Sequence, residues 1–139
     1  MPRVSDHDSC QRCARAVTGT SRGRELRDHF GAVHGRRADV ERLLAGYAGV
    51  HLHAGVFPDS ASALAHERFS FVHLDLDLEP STRDALAFFQ PRLLPGGILV
   101  GDDYDFPGVR SAFASWYAGS PDTLVELPWG QVIAFRAGP

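Results

Sequence analysis

The stretch FVHLDLDL, residues 71–78, begins as a buried strand and ends in acidic residues. Its first half is apolar on both sides of an extended chain, which is typical of a strand inside a parallel sheet. Asp75 and Asp77 then place two carboxylates where burial would otherwise continue. The same change occurs in ILVGDDYDFPG, residues 98–108, where the acids are Asp102, Asp103 and Asp105. Two apolar strands that each end in acids suggest a site at one edge of a sheet.

Helices are predicted on both sides of these strands. Apolar residues recur at helical spacing in residues 38–49, 81–93 and 107–119. Ser81 and Asp84 have the spacing of a capping box, which predicts that the second helix begins at Ser81. Pro107 in the first turn and Gly119 after the last turn predict the limits of the third helix.

Strands are predicted between the helices and after them. Their positions are residues 50–56, 69–76, 97–103, 122–128 and 131–137, and the last two form an antiparallel hairpin at the sheet edge. Alternating strands and helices indicate an α/β fold with right-handed crossovers. In such sheets ligands bind at the carboxyl ends of the strands. We further expect the 69–76 strand to be central and His73 to be a hydrogen-bonded core residue.

The carboxylates have the chemistry of a cation site. If residues 71–78 stay extended, Asp75 and Asp77 point to the same face, and Asp102 and Asp103 end the neighbouring strand. Such carboxylates repel one another unless a cation lies among them, and an all-oxygen site suits Mg²⁺, Mn²⁺ or Ca²⁺. A carboxylate that does not bind the metal could act as a general base toward a hydroxyl. The alternative is that these are solvated loop acids near helix N-termini, which is the better interpretation of Asp105.

The composition changes near residue 38. Residues 1–38 hold eight Arg and four acidic residues, whereas residues 39–139 hold six Arg and thirteen acidic residues. We therefore divide the chain into an Arg-rich leader, 1–38, and a domain, 39–139. No apolar run is long enough for a membrane span and no signal peptide follows Met1, so a cytoplasmic protein without a membrane partner is expected.

The leader contains a possible zinc site. Cys10 and Cys13 form a C-x2-C pair, and His29 and His34 form an H-x4-H pair at a spacing typical of zinc sites. Leu26 and Val17 occupy positions similar to the apolar positions of a C2H2 zinc finger. The alternative is an Arg-rich leader whose Cys and His have this spacing by chance. Nucleic-acid binding is the weaker interpretation, because leader arginines are more often simply solvated.

The stretches HAGVFPDS and FVHLDLDLEPSTRDALAFFQPRLLPGGILVGDDYDFPGVRSAF together resemble the macrocin O-methyltransferase (TylF/MycF-like) family. The resemblance covers residues 36–137 and is most specific around 73–108. It implies a class I S-adenosylmethionine-dependent methyltransferase whose sheet is partial, with its first strands missing. The family pattern L-D-x-D-L-Y-E departs here, because Glu79 replaces Tyr and Pro80 replaces Glu.

The resemblance also implies roles for individual residues. Asp77 is implied as the proton acceptor, and Gly55 and Phe57 are implied to lie near the adenine of S-adenosylmethionine. The implied ligands of Mg²⁺ or Mn²⁺ are Asp75, Asp102 and Asp103. The implied reaction is methylation of a hydroxyl on a sugar or natural product.

The first half of such a domain, with its glycine-rich turn, has no counterpart in the sequence, which contains no G-x-G. Three hypotheses follow. The chain is a truncated methyltransferase, active as a homo-oligomer or with a complementing chain. Alternatively, it is an inactive remnant with a zinc-binding leader that acts as an interaction module. The third hypothesis is a mis-started or rearranged reading frame without an independent function. In each case the 50–56 strand would pair beside the 71–76 strand or leave an exposed edge that dimerises.

Overall fold

The computed structural model describes residues 37–138, which form one mixed sheet and the helices that connect its strands. The strands are β1 (Phe69–Leu74), β2 (Leu93–Gly101), β3 (Thr123–Leu127) and β4 (Gln131–Phe135). The α-helices are α1 (Arg37–Leu44), α2 (Glu79–Phe89) and α3 (Pro107–Tyr117), and short 3-10 helices span Asp59–Leu64 and Gln90–Arg92. The candidate zinc ligands Cys10, Cys13, His29 and His34 lie outside the described residues.

The sheet has four strands in the order β1-β2-β4-β3. β1 and β2 are parallel, with Leu74 opposite Gly101, and α2 makes the crossover between them. β4 is antiparallel to β2 and forms a hairpin with β3. The predicted α/β architecture and the edge hairpin are therefore confirmed. The expectation of a central 69–76 strand was wrong, because β1 is an edge strand of the described sheet.

The core lies between one face of the sheet and the pair α2 and α3. Leu86 of α2 and Phe113 of α3 are fully buried among apolar side chains of β1, β2 and β4. Gly101 permits this contact, because a Cβ there would lie 2.4 Å from Cζ of Phe113. Glycine at the end of β2 therefore lets α3 approach the strand directly before the acid pair. The sheet residues that form this buried face include Val72, Leu74, Leu99, Val132 and Ala134.

The observed boundaries show which local sequence signals set the start of each helix. α2 begins at Glu79 with Leu78 as its N-cap and a proline in its first turn, so the predicted capping box at Ser81 and Asp84 was wrong. Proline at this position needs no amide partner and has a suitable φ, which explains the earlier start. α3 begins at Pro107 as predicted, and Gly119 follows it with φ of 73°.

Residues 50–56 do not form the predicted strand and pair with no strand of the sheet. The expected pairing beside β1 was therefore wrong. Instead, this part of the chain is fixed by Phe57, whose ring lies 5.7 Å from that of Phe88 and 5.8 Å from that of Phe89. The alternation in VHLHAGV was a local pattern, and a strand also needs a neighbour that provides hydrogen bonds.

α1 lies at the start of the described residues and has no buried residue. Leu43 and the following Tyr47 are 76% and 69% exposed, so the apolar side of the predicted helix is not packed on the core. Among residues 37–138, no helix is long and apolar enough to cross a membrane.

Candidate functional site

The two acid clusters meet because the strands that carry them are parallel neighbours. Leu74 ends β1 beside Gly101, which ends β2. The amide of Asp102 donates to the carbonyl oxygen of Leu74 at 2.8 Å, which extends the pairing by one step. The segments that follow the two strands therefore leave the sheet at the same carboxyl edge, as the sequence predicted.

Three carboxylates converge at this edge. Asp75, Asp77 and Asp103 each offer an oxygen, and these oxygens all lie within 4.8 Å of one another. Asp77 and Asp103 have φ of 56° and 55°, a left-handed conformation that non-glycine residues adopt rarely and that Asp tolerates better than most. Leu78 N donates to Leu76 O at 2.6 Å across Asp77, so β1 ends in a tight turn rather than an extended chain. The turn, and not strand alternation, brings Asp75 and Asp77 together.

The electrostatics of this carboxylate cluster are unfavourable without a cation. A side-chain hydrogen bond with Asp77, followed by partial burial and the charges of Asp77, Asp102 and Asp75, raises the pKa of Asp103 to about 7. Within residues 37–138, no arginine forms an ion pair with any member of the cluster. Asp75 and Asp77 are exposed and Asp103 is half-buried, so an ion can reach all three. A set of hard oxygen donors in mutual repulsion fits Mg²⁺ or Mn²⁺.

Asp102 lies beside the cluster and is not one of its three members. Its Oδ1 accepts a hydrogen bond from Asp103 N at 3.1 Å, and its Oδ2 lies 4.0 Å from Nε2 of His73. Asp102 therefore helps to fix the backbone of Asp103. The His73 side chain is 41% exposed, so the expectation of a core histidine was wrong. Asp105 faces Gly130, where a Cβ would lie 2.7 Å from an Asp105 oxygen.

A network that the sequence did not reveal braces the loop of Asp103. Tyr104 is 3% exposed, its amide donates to Gly130 O at 2.7 Å, and its hydroxyl donates to Glu126 Oε1 at 3.2 Å. Arg110 donates to both oxygens of Glu126 at 3.2 and 3.0 Å, and its guanidinium lies 4.3 Å from the centre of the Tyr104 ring. The available signal was an aromatic residue inserted into an acidic loop. Its partners on β3 and α3 could not be identified without the tertiary fold.

Gly55 and Phe57, the predicted cofactor contacts, lie away from the carboxylate cluster. Phe57 packs against Phe88 and Phe89 at the C-terminal end of α2, whereas Asp77 lies just before its N-terminus. A helix of 11 residues is about 16 Å long, so the two sites are separated by roughly that distance. Gly55 has φ of 144° and a Cβ there would lie 3.0 Å from Ser60 Cβ, so glycine is required at this turn.

Comparison with known families identifies the part of the chain that carries the site. The model of the macrocin O-methyltransferase (TylF) family matches residues 37–121. This range includes β1, α2, β2 and α3, and with them all four acids at the carboxyl edge. The match therefore covers most of the described fold.

Two curated relatives are similar over the same part. The 8-demethyl-8-(2,3-dimethoxy-alpha-L-rhamnosyl)-tetracenomycin-C 4'-O-methyltransferase of Streptomyces olivaceus is 38% identical over 93 residues, which is 66% of this chain and 36% of the relative. The mycinamicin III 3''-O-methyltransferase of Micromonospora griseorubida is 35% identical over 96 residues, which is 65% of this chain and 38% of the relative. This chain is thus similar to only 36% and 38% of the lengths of these relatives.

Solved structures show the same partial correspondence. The O-methyltransferase NovP superposes with a TM-score of 0.66 at 25% identity, over 73% of this chain and 45% of NovP. CalS11, a TDP-rhamnose 3'-O-methyltransferase of calicheamicin biosynthesis, superposes with a TM-score of 0.51 at 22% identity, over 62% of this chain and 40% of CalS11. The described residues therefore have part of a Rossmann-like methyltransferase fold.

Proposed function

Because this chain belongs to the macrocin O-methyltransferase (TylF) family, we propose that it carries the cation- and acceptor-binding part of a sugar O-methyltransferase. The acceptor would be a sugar hydroxyl of a natural product, as the names of the two relatives suggest for them. The observation that carries the proposal is the convergence of Asp75, Asp77 and Asp103 at the carboxyl edge of two parallel strands. The methyl donor of the complete domain would be S-adenosylmethionine.

Each carboxylate would have a role that follows from its position in the cluster. Asp75 and Asp103 would hold Mg²⁺ or Mn²⁺. Asp102 stays a predicted further ligand, and its 3.1 Å hydrogen bond also keeps the Asp103 backbone in place. When bound, the cation would attract the acceptor hydroxyl and lower the pKa of that hydroxyl. Asp77 is exposed in the same cluster, so its carboxylate would take the hydroxyl proton as general base. The deprotonated oxygen is the nucleophile that methyl transfer requires.

The described residues do not form a complete site for S-adenosylmethionine. Glycine-rich turns let a backbone approach a nucleotide cofactor closely, and the sequence contains no G-x-G. Gly55 and Phe57 stay the predicted adenine contacts, and Phe57 is largely engaged with Phe88 and Phe89. We therefore propose that residues outside 37–138, or a complementing chain, provide the remaining contacts to the donor.

The test is a calorimetric titration of the full chain with a rhamnose glycoside, with and without Mg²⁺. We expect acceptor binding that requires Mg²⁺ and that Asp75→Asn weakens at least tenfold, whereas Asp84→Asn, an exposed acid on α2, leaves it unchanged. Acceptor binding that is equal with and without Mg²⁺ would contradict the proposal.

A second titration, with S-adenosylmethionine, tests whether this chain holds the methyl donor by itself. Binding at micromolar strength would mean that this chain also holds the donor, and methyl transfer should then fall about 100-fold or more in Asp77→Asn. Acceptor binding without donor binding would place the donor site on another part of the domain.

A further inference from the structure

The hairpin between β3 and β4 turns at the same edge of the sheet as the carboxylate cluster. Val132, near the start of β4, lies opposite Gly101, the last residue of β2. The residues that connect β3 to β4 are Pro128, Trp129 and Gly130. This turn therefore lies at the carboxyl edge, although it is distant in sequence from the acids.

Two contacts hold this turn against the loop that carries Asp103. The amide of Tyr104 donates to the carbonyl oxygen of Gly130 at 2.7 Å. Gly130 is buried and lies against the Asp105 side chain, because a Cβ at Gly130 would be 2.7 Å from an Asp105 oxygen. Through the Tyr104 hydrogen bond, the Cα atoms of Trp129 and Asp103 are less than roughly 12 Å apart. The turn is thus a fixed neighbour of the carboxylate cluster.

Trp129 is both exposed and strained. Its side chain is 95% exposed, the highest value among the large apolar residues of 37–138. Its φ is 70°, a left-handed conformation that is an outlier for a bulky residue. Within the described chain, the other non-glycine residues with positive φ are Asp77 and Asp103 of the carboxylate cluster. Strained backbone of this kind concentrates at functional sites, and here all of it lies at the carboxyl edge.

The stability of the fold does not account for a tryptophan at this position. An indole that is 95% exposed contributes almost nothing to the core, and glycine would adopt the same φ without strain. Single exposed apolar residues are common on protein surfaces. Trp129 differs from these because its exposure is combined with a strained backbone beside a candidate site. The indole is therefore available to a ligand of that site.

The indole provides a kind of contact that carboxylates cannot make. The carboxylate cluster can bind a cation and a hydroxyl, but it offers no apolar surface to the rest of an acceptor. A sugar ring has hydroxyls at its rim and C–H groups on its faces, and these hydrogens are attracted to the negative face of an aromatic ring. Small-molecule sites commonly combine a few polar groups with such an aromatic wall. The separation of less than roughly 12 Å leaves room for one sugar ring between the indole and the acids.

We propose that Trp129 stacks on the ring of the acceptor sugar whose hydroxyl meets the carboxylate cluster. Trp129 thereby selects acceptors that present a C–H face, while the acids and their cation hold the reacting hydroxyl. This inference rests on the proposed function and adds a residue that determines specificity. Trp129 lies outside residues 37–121, so the family match assigns it no role.

The experiment is a titration of methyl α-L-rhamnopyranoside into the full chain with Mg²⁺, followed by saturation-transfer difference NMR. We expect Trp129→Gly to weaken binding about three- to tenfold and Trp129→Phe, which keeps an aromatic ring, to stay within about twofold of the unaltered chain. Trp116→Ala is the matched control, since Trp116 is 38% exposed and lies near the far end of α3, about 14 Å from Pro107. Its affinity for the glycoside should be unchanged.

Two further readouts separate ligand contact from a structural role. In Trp129→Gly, we expect Tm to be equal or higher, because glycine relieves the strain, and the Mn²⁺ affinity to be unchanged. A lower Tm together with weaker Mn²⁺ binding would show a structural role and overturn the inference. Equal glycoside affinity in Trp129→Gly and the unaltered chain would also overturn it, but would leave the proposed function intact. A chain that binds Mn²⁺ but no glycoside in any variant would overturn the proposed function, and this inference with it.

Discussion

Acidic side chains lie at both ends of the same sheet, and their surroundings are opposite. At the amino end of β2, the Asp122 side chain is 4% exposed and is held by donors. It accepts hydrogen bonds from Gln90 Nε2 and from Ala137 N at 2.8 Å, and Arg136 lies 3.9 Å away. At the carboxyl end, the carboxylate cluster of Asp75, Asp77 and Asp103 has acids as its neighbours.

The difference indicates which end is built for stability and which for binding. Tyr117 donates to Gln90 Oε1 at 2.9 Å and Arg136 donates to Gln90 O at 3.2 Å, so the Asp122 network connects α3, the end of α2 and the last residues of the chain. All of its charge is compensated within the protein. The carboxylate cluster has no such compensation among residues 37–138, and a bound cation would provide it.

The largest expected effect is the loss of the compensated acid. Asp122→Ala removes the acceptor of two hydrogen bonds and leaves Arg136 and Gln90 without it, so we expect a loss of about 3 kcal/mol in the free energy of unfolding. Urea unfolding followed by circular dichroism measures the change. Asp84→Ala, on the exposed side of α2, should change this free energy by less than about 0.5 kcal/mol. A loss below about 1 kcal/mol for Asp122→Ala would contradict the view that the Asp122 end of the sheet is built for stability.

The next effect concerns cation binding by the uncompensated acids. Asp75→Asn and Asp103→Asn should each weaken Mn²⁺ binding at least about tenfold, because each removes a charged oxygen ligand. Asp122→Asn should leave the Mn²⁺ affinity unchanged. Electron paramagnetic resonance of free Mn²⁺ gives the affinities. If Asp122→Asn weakened binding as much as Asp103→Asn, the proposed division between the two ends would be wrong.

A smaller effect is the pH dependence of stability. The pKa of Asp103 is raised from 3.8 to about 7, so the folded chain binds more protons than the unfolded chain between these values. Its contribution to stability is therefore present at low pH and decreases as pH rises from about 4 to about 7. Without divalent cations, Asp103→Asn should raise Tm by about 5–10 °C at pH 8, after a discount for the partial exposure of the carboxylate, and have no effect at pH 4. Equal shifts at both pH values would contradict the assigned cause.

The smallest expected effect comes from the hydrogen bond between Tyr104 and Glu126, which fixes the loop of Asp103. Tyr104→Phe removes the hydrogen bond to Glu126 but retains the buried ring. We expect a stability change of about 1 kcal/mol or less and a Mn²⁺ affinity about two- to five-fold weaker, since the loop of Asp103 is less well fixed. Thermal unfolding and Mn²⁺ titration of the same samples separate the two changes. An unchanged affinity would mean that the brace serves stability alone.

Much of this arrangement followed from the sequence, because hydrophobic periodicity identified β1, α2, β2, α3 and the hairpin. Parallel order then placed the acids at one edge. The failures arose where tertiary context decides. Residues 50–56 alternate but have no strand partner, and the Asp77 turn replaces the expected extension of β1. A tertiary contact also joins Tyr104 to Glu126, which no local pattern reveals. The cation-ligand role of Asp102 stays a prediction.

The most direct test of the central claim is titration of Mn²⁺ into the full chain at pH 8 and pH 5.5. The claim is that the carboxyl edge holds a divalent cation. We predict one ion per chain through the carboxylate cluster, with weaker binding at pH 5.5, because the proton on Asp103 competes with the ion below its pKa of about 7. No binding at millimolar Mn²⁺ at pH 8, or binding that persists in Asp75→Asn/Asp103→Asn, would contradict the account.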